Sequence, residues 1–586
     1  MKKFLAVLLA LLTFAGAVCA QGTAAPQTYT ITERTYPFYD GDINDILNEH
    51  FPLYFMNGVD DLPYVELQSW MEAVISFIRE WTSDPKYDLM FSSAGTDAAY
   101  VRENEYHMHF DFANKTILFD DYNAFIHSAA ESSLVDLLSE KGFTETGDSE
   151  LFQRNLEMSY DRYGDMVLLK LGDYHIDMIA QDGKYYVPLQ TMSDLMISPS
   201  LRAAILFNGE CIMLMNRGTF GTVRRGLTPL GEEYYKASTG ERSPELAEFG
   251  YNELCFVLDN LYGLKGPHDI DSFDQLFMQM GYDSEFLTTD AAAADELLYK
   301  VIDFTLDDLH SEFVDYSYLT GAKEVEWTTG PATRKLDDAV TTYSEARAKY
   351  YEPGYFDEMA NGPYMYEEVG DTAFITFDTF TNTRAYVYYE AIEAGENLPN
   401  DTIGLIIYAH NRIYRQDSPI QNVVLDLSNN TGGDVNAAIF LMSWILGDST
   451  ISIKDTFTGA LSTATYRADV NLDRKFNSGD VIDDKNIYVL ISPVSFSCGN
   501  LVPAALKASD KVTILGRPSG GGSCIVQPLS TAWGTFFQIS GPSRLSFLKN
   551  GSFYDIDTGI SPDFVISQPS KFYDHEALVE YIHNIF

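Results

Sequence analysis

Two side chains that can act as nucleophiles, Ser497 and Cys498, lie between a strand-like apolar run and a segment that can begin a helix. The run Ile487–Ile491 has the composition of a buried strand, and Ser492-Pro493 ends it. In such an arrangement the strand fixes the turn and the turn exposes the side chain. Free N–H groups at the start of the helix then stabilise developing negative charge. The pattern favours nucleophilic catalysis, although a strand–turn–helix crossover with a capping serine looks the same.

A pair of glycines follows a second apolar run. The segment Asn422–Asp434 reads NVVLDLSNNTGGD, so Gly432 and Gly433 lie between a buried strand and a helix. Glycines in this place let backbone N–H groups approach a ligand closely. They serve a tight turn equally well, so the pair alone leaves both interpretations open.

A twelve-residue acidic stretch, Asp469–Asp480, has the pattern of a calcium loop of the EF-hand or dockerin kind. Its oxygen ligands would come from Asp469, Asn471, Asp473, the carbonyl of Lys475, Asn477 and Asp480. Arg474 replaces the usual turn glycine, so this residue must adopt a left-handed conformation. Asp480 replaces the usual bidentate Glu. We predict a structural Ca²⁺ site here; the alternative is a solvated acidic turn.

The elements that would carry these residues alternate between strand and helix patterns from residue 366 onward. This alternation predicts an α/β core over residues 366–586 with an insertion at 448–485. The predicted strands and the best-defined helix are Ala373–Phe377, Val423–Leu427, Ile487–Ile491, Val512–Leu515, Phe536–Ile539 and helix Val435–Leu446.

Helical patterns precede this core. Ser243-Pro244 is a capping residue followed by proline at the first helical position, and apolar residues then recur at helical spacing. Further helices are predicted over Asp290–Leu309 and Leu336–Tyr350. We therefore expect a helical segment at 243–320 and a connector at 321–365, which makes the fold class α/β (α+β).

The region 28–225 consists of strand-like runs and turns with little helical periodicity, which predicts β-rich N-terminal modules. Within it, LPYVELQSWM at Leu62–Met71 is echoed by KYYVPLQTM at Lys184–Met192. Each segment follows a short turn and precedes apolar residues. The echo indicates that a module is duplicated.

Composition and the first residues indicate an exported protein. The 586 residues include 85 acidic and 39 basic ones, and the net charge of −46 argues against nucleic-acid or anionic-membrane partners. Residues 1–20 have the charged start, apolar run and small residues of a signal peptide, which predicts an extracellular, periplasmic or cell-wall location. No later segment has the length and hydrophobicity of a membrane anchor.

Five motifs together suggest a family. They are DLHS (308–311), DLSNNTGG (426–433), SFSCGN (495–500), GRPSGGGS (516–523) and TGISPD (558–563). In this order and spacing, over about residues 245–586, the chain resembles the tail-specific (C-terminal processing) proteases and their tricorn-core relatives. The resemblance implies that Ser497 is the nucleophile. It also implies that the N–H of Cys498 and that of Gly432 or Gly433 form the oxyanion hole.

The resemblance is closer to the tricorn-core branch. Gly522 lies where tail-specific proteases carry a catalytic lysine, so their Ser–Lys dyad is ruled out. Tricorn-like members use a histidine from the preceding helical segment, which maps onto His310, and imidazole suits proton transfer near neutrality. Asp555 and Asp557 are the candidates for the orienting acid, and Asp557 is included in the predicted site.

The resemblance therefore predicts an exported serine endopeptidase that hydrolyses a protein or peptide through an acyl-enzyme on Ser497, with His310 as base and no cofactor for catalysis. Cys498 is an alternative nucleophile. The alternative function is a non-catalytic protein on the same core that binds a lipophilic ligand or a peptide. If the core folds as in the family, Cys498 and Cys524 come near enough for a disulfide, and Cys211 with Cys255 is a second pairing.

Overall fold

The computed structural model describes residues 28–82, 89–126, 151–154, 159–223, 226, 228–322, 328–351 and 365–585. Within them, the N-terminal region contains two mainly antiparallel sheets. Its strands are β1 Ile31–Asp40, β2 Ile46–Met56, β3 Pro63–Glu66, β4 Leu89–Ala94, β5 Asp97–Arg102, β6 Tyr106–Asp111, β7 Thr116–Phe119, β8 Phe152–Arg154, β9 Ser159–Arg162, β10 Val167–Lys170, β11 Ile179–Gln181, β12 Lys184–Pro188, β13 Ala203–Phe207 and β14 Ile212–Asn216. One sheet has the order β11-β12-β3-β2-β1-β14-β13 and the other β10-β7-β6-β5-β4. The predicted signal peptide at 1–20 lies outside the described residues.

The two echoed segments pair with each other. Strands β3 and β12 are antiparallel neighbours, and Val65 lies opposite Val187, the residue that matches it in the sequence echo. Each strand leads directly into a helix, at Leu67 and at Leu189. The structure thus pairs the two echoed segments, and their origin by duplication stays a prediction.

The N-terminal region contains more helices than its sequence pattern predicts. The helix α1, Leu67–Thr82, has 16 residues and a strongly amphipathic pattern. Five shorter helices follow: α2 Asn123–Ile126, α3 Leu189–Met192, α4 Ser198–Leu201, α5 Arg217–Val223 and α6 Pro229–Tyr234. The sixteen residues of α1 follow a strand without a break, so its period is easily missed.

The helical segment begins at the predicted cap, where the Ser243 hydroxyl accepts the N–H of Leu246 at 3.0 Å. Its elements are α7 Pro244–Leu261, α8 Phe273–Met280, α9 Tyr282–Phe286, α10 Ala291–Lys300, strand β15 Glu312–Asp315 and α11 Pro331–Arg347. The helix expected over 290–309 is α-helical only to Lys300. It continues as a π-helix, Val301–Leu306, and ends at Asp307, which is left-handed. The chain then turns into the segment that carries His310.

The C-terminal core contains a six-stranded sheet with the order β16-β17-β18-β21-β22-β27. Its strands are β16 Tyr366–Val369, β17 Thr372–Thr376, β18 Asn422–Asp426, β21 Asn486–Ile491, β22 Val512–Gly516 and β27 Phe564–Val565. The helices are α12 Ala385–Ala394, α13 Thr402–Ile413, α14 Val435–Leu446, α15 Cys498–Ala508 and α16 His575–His583. All pairings except β16 with β17 are parallel, so the ends of β18 and β21 meet at one edge.

A second sheet joins the core to the rest of the chain. Its strands include β19 Ser449–Asp455, β20 Leu461–Ala468, β23 Cys524–Ser530 and β24 Phe536–Ser546, with a separate hairpin of β25 Leu548–Lys549 and β26 Ser552–Phe553. Strand β24 pairs with β15, and β20 pairs with β8 and β9 from the N-terminal region. One apolar core runs from Phe38 through the helical segment to Ile539. The N-terminal region therefore packs as an integral part of the molecule.

No helix among the described residues is long and apolar enough to cross a membrane.

Candidate active site

Ser497 occupies a strained turn between β21 and α15. Its φ of 54° and ψ of −123° are a conformation that residues with a side chain rarely adopt, at a cost of about 1–3 kcal/mol. The N–H of Ser497 donates to the carbonyl of Gly521 at 2.9 Å, which holds the turn against the next loop. Although the residue precedes the helix, its side chain makes no capping hydrogen bond. A half-buried serine whose backbone is strained and whose hydroxyl caps no helix suits the role of nucleophile.

Near this turn, the backbone N–H groups of Gly433 and Cys498 have no acceptor among the described residues. Gly432 cannot contribute in the same way, because its N–H already donates to Asn430 Oδ1 at 2.9 Å. Gly432 instead gives Ser497 room, since a Cβ placed on this glycine would lie 2.6 Å from Ser497 Cβ. Of the two glycines left open by the sequence, Gly433 has the free donor.

His310 lies beside the turn and is 8% exposed. Its ring packs on Phe496, the residue before Ser497, with 4.6 Å between ring centroids. The backbone is fixed on both sides, because Asp308 Oδ1 accepts the His310 N–H at 3.0 Å and Gln538 donates to the His310 carbonyl at 3.1 Å. No hydrogen bond joins the imidazole to Ser497 within the described part of the chain. In free enzymes such contacts are often long and tighten only with substrate.

Two opposing effects act on the pKa of the His310 imidazole. Burial lowers the pKa of the His310 imidazole below its usual value, while the nearby carboxylates of Asp308 and Asp557 raise it. Asp308 also accepts the hydroxyls of Tyr262 and Ser311, so its oxygens are occupied. The imidazole is therefore kept neutral by burial, and two negative charges are placed to stabilise it when it takes up a proton.

The two candidate acids have different partners. Asp555 forms an ion pair with Arg544 at 2.6 Å. Asp557 accepts the N–H and the hydroxyl of Ser523 on Oδ1, at 3.0 and 2.8 Å, and its charge acts on His310. The charge of Asp557 thus acts on the imidazole, whereas Asp555 pairs with the Arg544 guanidinium.

The predicted disulfides are wrong, because Cys211, Cys255, Cys498 and Cys524 are all free and buried. Cys498 belongs to the apolar core under the six-stranded sheet, where its thiol donates to the Gly433 carbonyl at 3.3 Å. Cys524, the first residue of β23, belongs to the other apolar core, which includes the N-terminal region. The two loops do face each other, but the thiols point into separate cores.

Cys498 is also unsuited to be the nucleophile. Burial raises the pKa of its thiol to about 12, and the charge of Asp434 adds to this effect. A thiol must lose its proton to react, so this one stays inert near neutrality.

The predicted calcium loop is organised by its own backbone. Asp469 accepts the N–H groups of Asp473 and Arg474, and Arg474 has the left-handed φ, 63°, that the loop pattern requires. Asp480 accepts the N–H groups of Val470, Asn471 and Asn477. Asp469 and Asp480 are buried, which raises the pKa of both carboxyls. However, no three His, Cys, Asp or Glu side chains in the described ranges are grouped so that they could hold a metal ion.

Comparison with known proteins identifies the domain that contains most of this site. Residues 373–566 match the family model described as peptidase family S41. The chain carries a peptidase family S41 domain. The match includes Ser497, Gly433, Cys498 and Asp557, whereas His310 precedes it.

The chain is only distantly similar to the individual proteins that it resembles. A Chlamydia pneumoniae protein, CPj1016/CpB1054, is 30% identical over 115 residues, and this chain spans only 17% of its length. A solved structure of mature CPAF complexed with lactacystin has 12% identity and a TM-score of 0.36, covering 58% of this chain and 97% of the other. A putative peptidase from Parabacteroides merdae gives 14% identity and a TM-score of 0.36, with coverages of 58% and 96%. Assignment of the S41 domain to the branch without a catalytic lysine stays a prediction.

Sequence reasoning missed three residues around the acid and the base, which are Asp308, Ser523 and Arg544. Asp308 stands two residues before His310 in the DLHS motif and could have been found by asking what fixes that turn. Ser523 ends the glycine-rich motif. Arg544 lies in β24 with no local signal, because its partners are 11 and 21 residues away.

Proposed function

We propose that this protein is an exported serine endopeptidase of family S41 with Ser497 as nucleophile. The observation that carries the proposal is the strained, uncapped Ser497 beside the free N–H groups of Gly433 and Cys498. Strain of this kind persists only where the surrounding structure enforces it, and it is concentrated at functional sites.

The geometry supports acyl transfer in two steps. Ser497 Oγ forms a bond to the scissile carbonyl carbon while His310 takes the hydroxyl proton. The N–H groups of Gly433 and Cys498 donate to the carbonyl oxygen as it becomes negative. The C–N bond then breaks, and the proton on His310 passes to the leaving amine. Water then attacks the resulting ester while His310 accepts its proton. As the ester C–O bond breaks, His310 gives this proton to Ser497 Oγ, which releases the acid and restores both residues.

Asp557 completes the site by stabilising the imidazolium that forms during each step. Its charge already raises the pKa of His310 against the effect of burial. Because Asp557 Oδ1 is held by Ser523, the carboxylate keeps a fixed direction. The substrate is a protein or peptide. Export rests on the signal peptide predicted at 1–20.

The test is hydrolysis of fluorescently labelled β-casein by the mature protein and two serine variants. Ser497→Ala should lower the rate by at least about a thousandfold, since losing a triad member leaves only binding and the oxyanion hole. The matched control is Ser495→Ala in the same turn, where the lost hydroxyl donates to the Leu427 carbonyl at 2.7 Å. This control should melt earlier yet still cleave casein. Equal cleavage by Ser497→Ala and wild type would contradict the assignment of Ser497 as the nucleophile. No cleavage by the folded wild type would favour a binding protein on the S41 core.

A further inference from the structure

A buried arginine lies behind the acid of the proposed site. Arg544 is 5% exposed and belongs to β24. Its Nε donates to Ser523 Oγ at 2.9 Å, and its Nη2 donates to Asp555 Oδ1 at 2.6 Å. One guanidinium therefore contacts Ser523 and Asp555, the two residues that form hydrogen bonds with Asp557. Its planar, fixed set of donors is suited to such a bridge.

Ser523 passes this constraint on to Asp557. The Ser523 hydroxyl oxygen accepts the hydrogen bond from Arg544, so its single hydrogen is free to point only at Asp557 Oδ1, 2.8 Å away. The Ser523 N–H donates to the same oxygen at 3.0 Å. Two donors on one carboxylate oxygen fix the plane of the group.

Asp555 supplies the second constraint. Its Oδ1 accepts both Arg544 Nη2 and the N–H of Asp557, the latter at 2.9 Å. The backbone of Asp557 is thus tied to the same guanidinium as its side chain. The carbonyl of Asp557 accepts the Gly522 N–H at 2.9 Å, which joins this corner to the loop beneath Ser497.

The other oxygen of Asp557 has no donor among the described residues. Arg544 Nη2 forms its shorter ion pair with Asp555 Oδ1, at 2.6 Å, and a longer one with Asp557 Oδ1, at 3.9 Å. The charge of Asp557 still acts on His310, since it raises the pKa of the imidazole against the effect of burial. The arrangement therefore fixes one carboxylate oxygen and leaves the other free.

We propose that Arg544 and Ser523 are positioning residues that hold Asp557 in the orientation needed to support His310. This inference rests on the proposed function, because it gives these residues a role only if His310 is the base for Ser497.

The test measures how fast a rhodamine fluorophosphonate labels the protein between pH 5 and 9. In Ser523→Ala the plateau rate should fall about tenfold, the effect of losing one hydrogen bond to a charged group. The inflection should also move to lower pH, because a misdirected Asp557 raises the pKa of His310 less. Ser523→Thr keeps the hydroxyl and should restore both values. Arg544→Gln, which loses the charge and the bridge, should resemble Ser523→Ala.

A matched control separates positioning from stability. Ser519 is a buried serine in the same loop whose hydroxyl donates to Asn500 at 2.7 Å. Ser519→Ala should lower the melting temperature without moving the inflection of the labelling profile. Wild-type plateau and inflection in both Ser523→Ala and Arg544→Gln would overturn the inference while leaving the proposed function intact. A wild type that the probe does not label at all would overturn both.

Discussion

Burial determines the pH range in which His310 can act as a base. Burial lowers the pKa of the imidazole more than Asp308 and Asp557 raise it. The neutral, proton-accepting form is therefore already present below the ordinary value of about 6.5. As the pH falls through the lowered pKa, the imidazole becomes protonated and activity is lost.

We therefore expect β-casein hydrolysis to rise with pH through a transition below about 6.5. His310→Ala should lower the rate by orders of magnitude and remove the transition. The control is His50→Ala, at an exposed position of β2, which should keep the wild-type profile. An unchanged transition in His310→Ala would show that another group is the base.

The sequence is informative about single residues where the chemistry is local. Ser497 could be selected because a strand, a turn and a helix start are neighbours in the chain. Its unusual φ follows from contacts with Gly432 and Gly521, which come from other loops, so no local pattern contains it. The same limit applies to Cys498 and Cys524, since the direction of a thiol depends on which core its backbone faces.

At the scale of elements, periodicity locates the core strands well. The strand predicted over Val423–Leu427 is Asn422–Asp426, and the helix Val435–Leu446 has the predicted bounds. Both are buried runs whose pattern is set by the sheet they pack on. The region 448–485 is predicted only as an insertion, but β19 and β20 within it pair with each other, and β19 also pairs with β24. Pairing between distant strands is not encoded in either strand alone.

We propose Ca²⁺ binding by the loop Asp469–Asp480 from its sequence pattern, although the structure groups no three of its acidic side chains to hold a metal ion. Millimolar Ca²⁺ should then raise the melting temperature by a few degrees, as expected for a ligand that binds only the folded state. Asp473→Ala should remove the response, since Asp473 is half-exposed and its loss leaves the buried Asp469 and Asp480 in place. Asp483→Ala, just outside the loop, should keep it. Equal melting temperatures with Ca²⁺ and with Mg²⁺ in the wild type would contradict the site.

At the scale of the molecule, the N-terminal region, the helical segment and the S41 domain meet at a buried pair of acids. Asp194 and Glu253 are 1% and 3% exposed and line one small cavity. Gln190 donates to Asp194 and to the Ser530 carbonyl, and Thr191 donates to Glu253 at 2.7 Å. Burial raises the pKa of Glu253 to about 8, and burial together with the charge of Glu253 raises that of Asp194.

This pair makes the stability depend on pH with a definite sign. The folded protein keeps a proton on Glu253 up to about pH 8, whereas the unfolded chain releases it near 4.5. Folding therefore takes up a proton between these values, and the free energy of unfolding falls as the pH rises through this range.

Glu253→Gln cannot lose a proton and should avoid this loss of stability. Its melting temperature relative to wild type should increase from pH 4.5 to about 8 and then stay constant. Glu248→Gln, exposed on the same helix, should follow the wild-type curve. Parallel curves for Glu253→Gln and wild type would show that this carboxyl is not protonated in the folded protein.

The meeting of three regions at Asp194 and Glu253 also shows what could not be derived from the chain alone. The strand content of residues 28–225 and the echo between Val65 and Val187 are local patterns, and the structure pairs them directly. That the same region packs against Ser530 depends on chain segments 340 residues apart. Contacts of this kind come from tertiary packing, which local periodicity does not describe.

Ser497 is tested most directly as the nucleophile by finding where a fluorophosphonate attaches to the mature protein, using mass spectrometry of its peptides. We expect one phosphonylated residue, Ser497, and no labelling of Ser497→Ala. Cys498 should stay unmodified, since its thiol is buried and protonated. Labelling at another residue, or an unlabelled wild type that is fully folded, would contradict the assignment of Ser497 as the nucleophile.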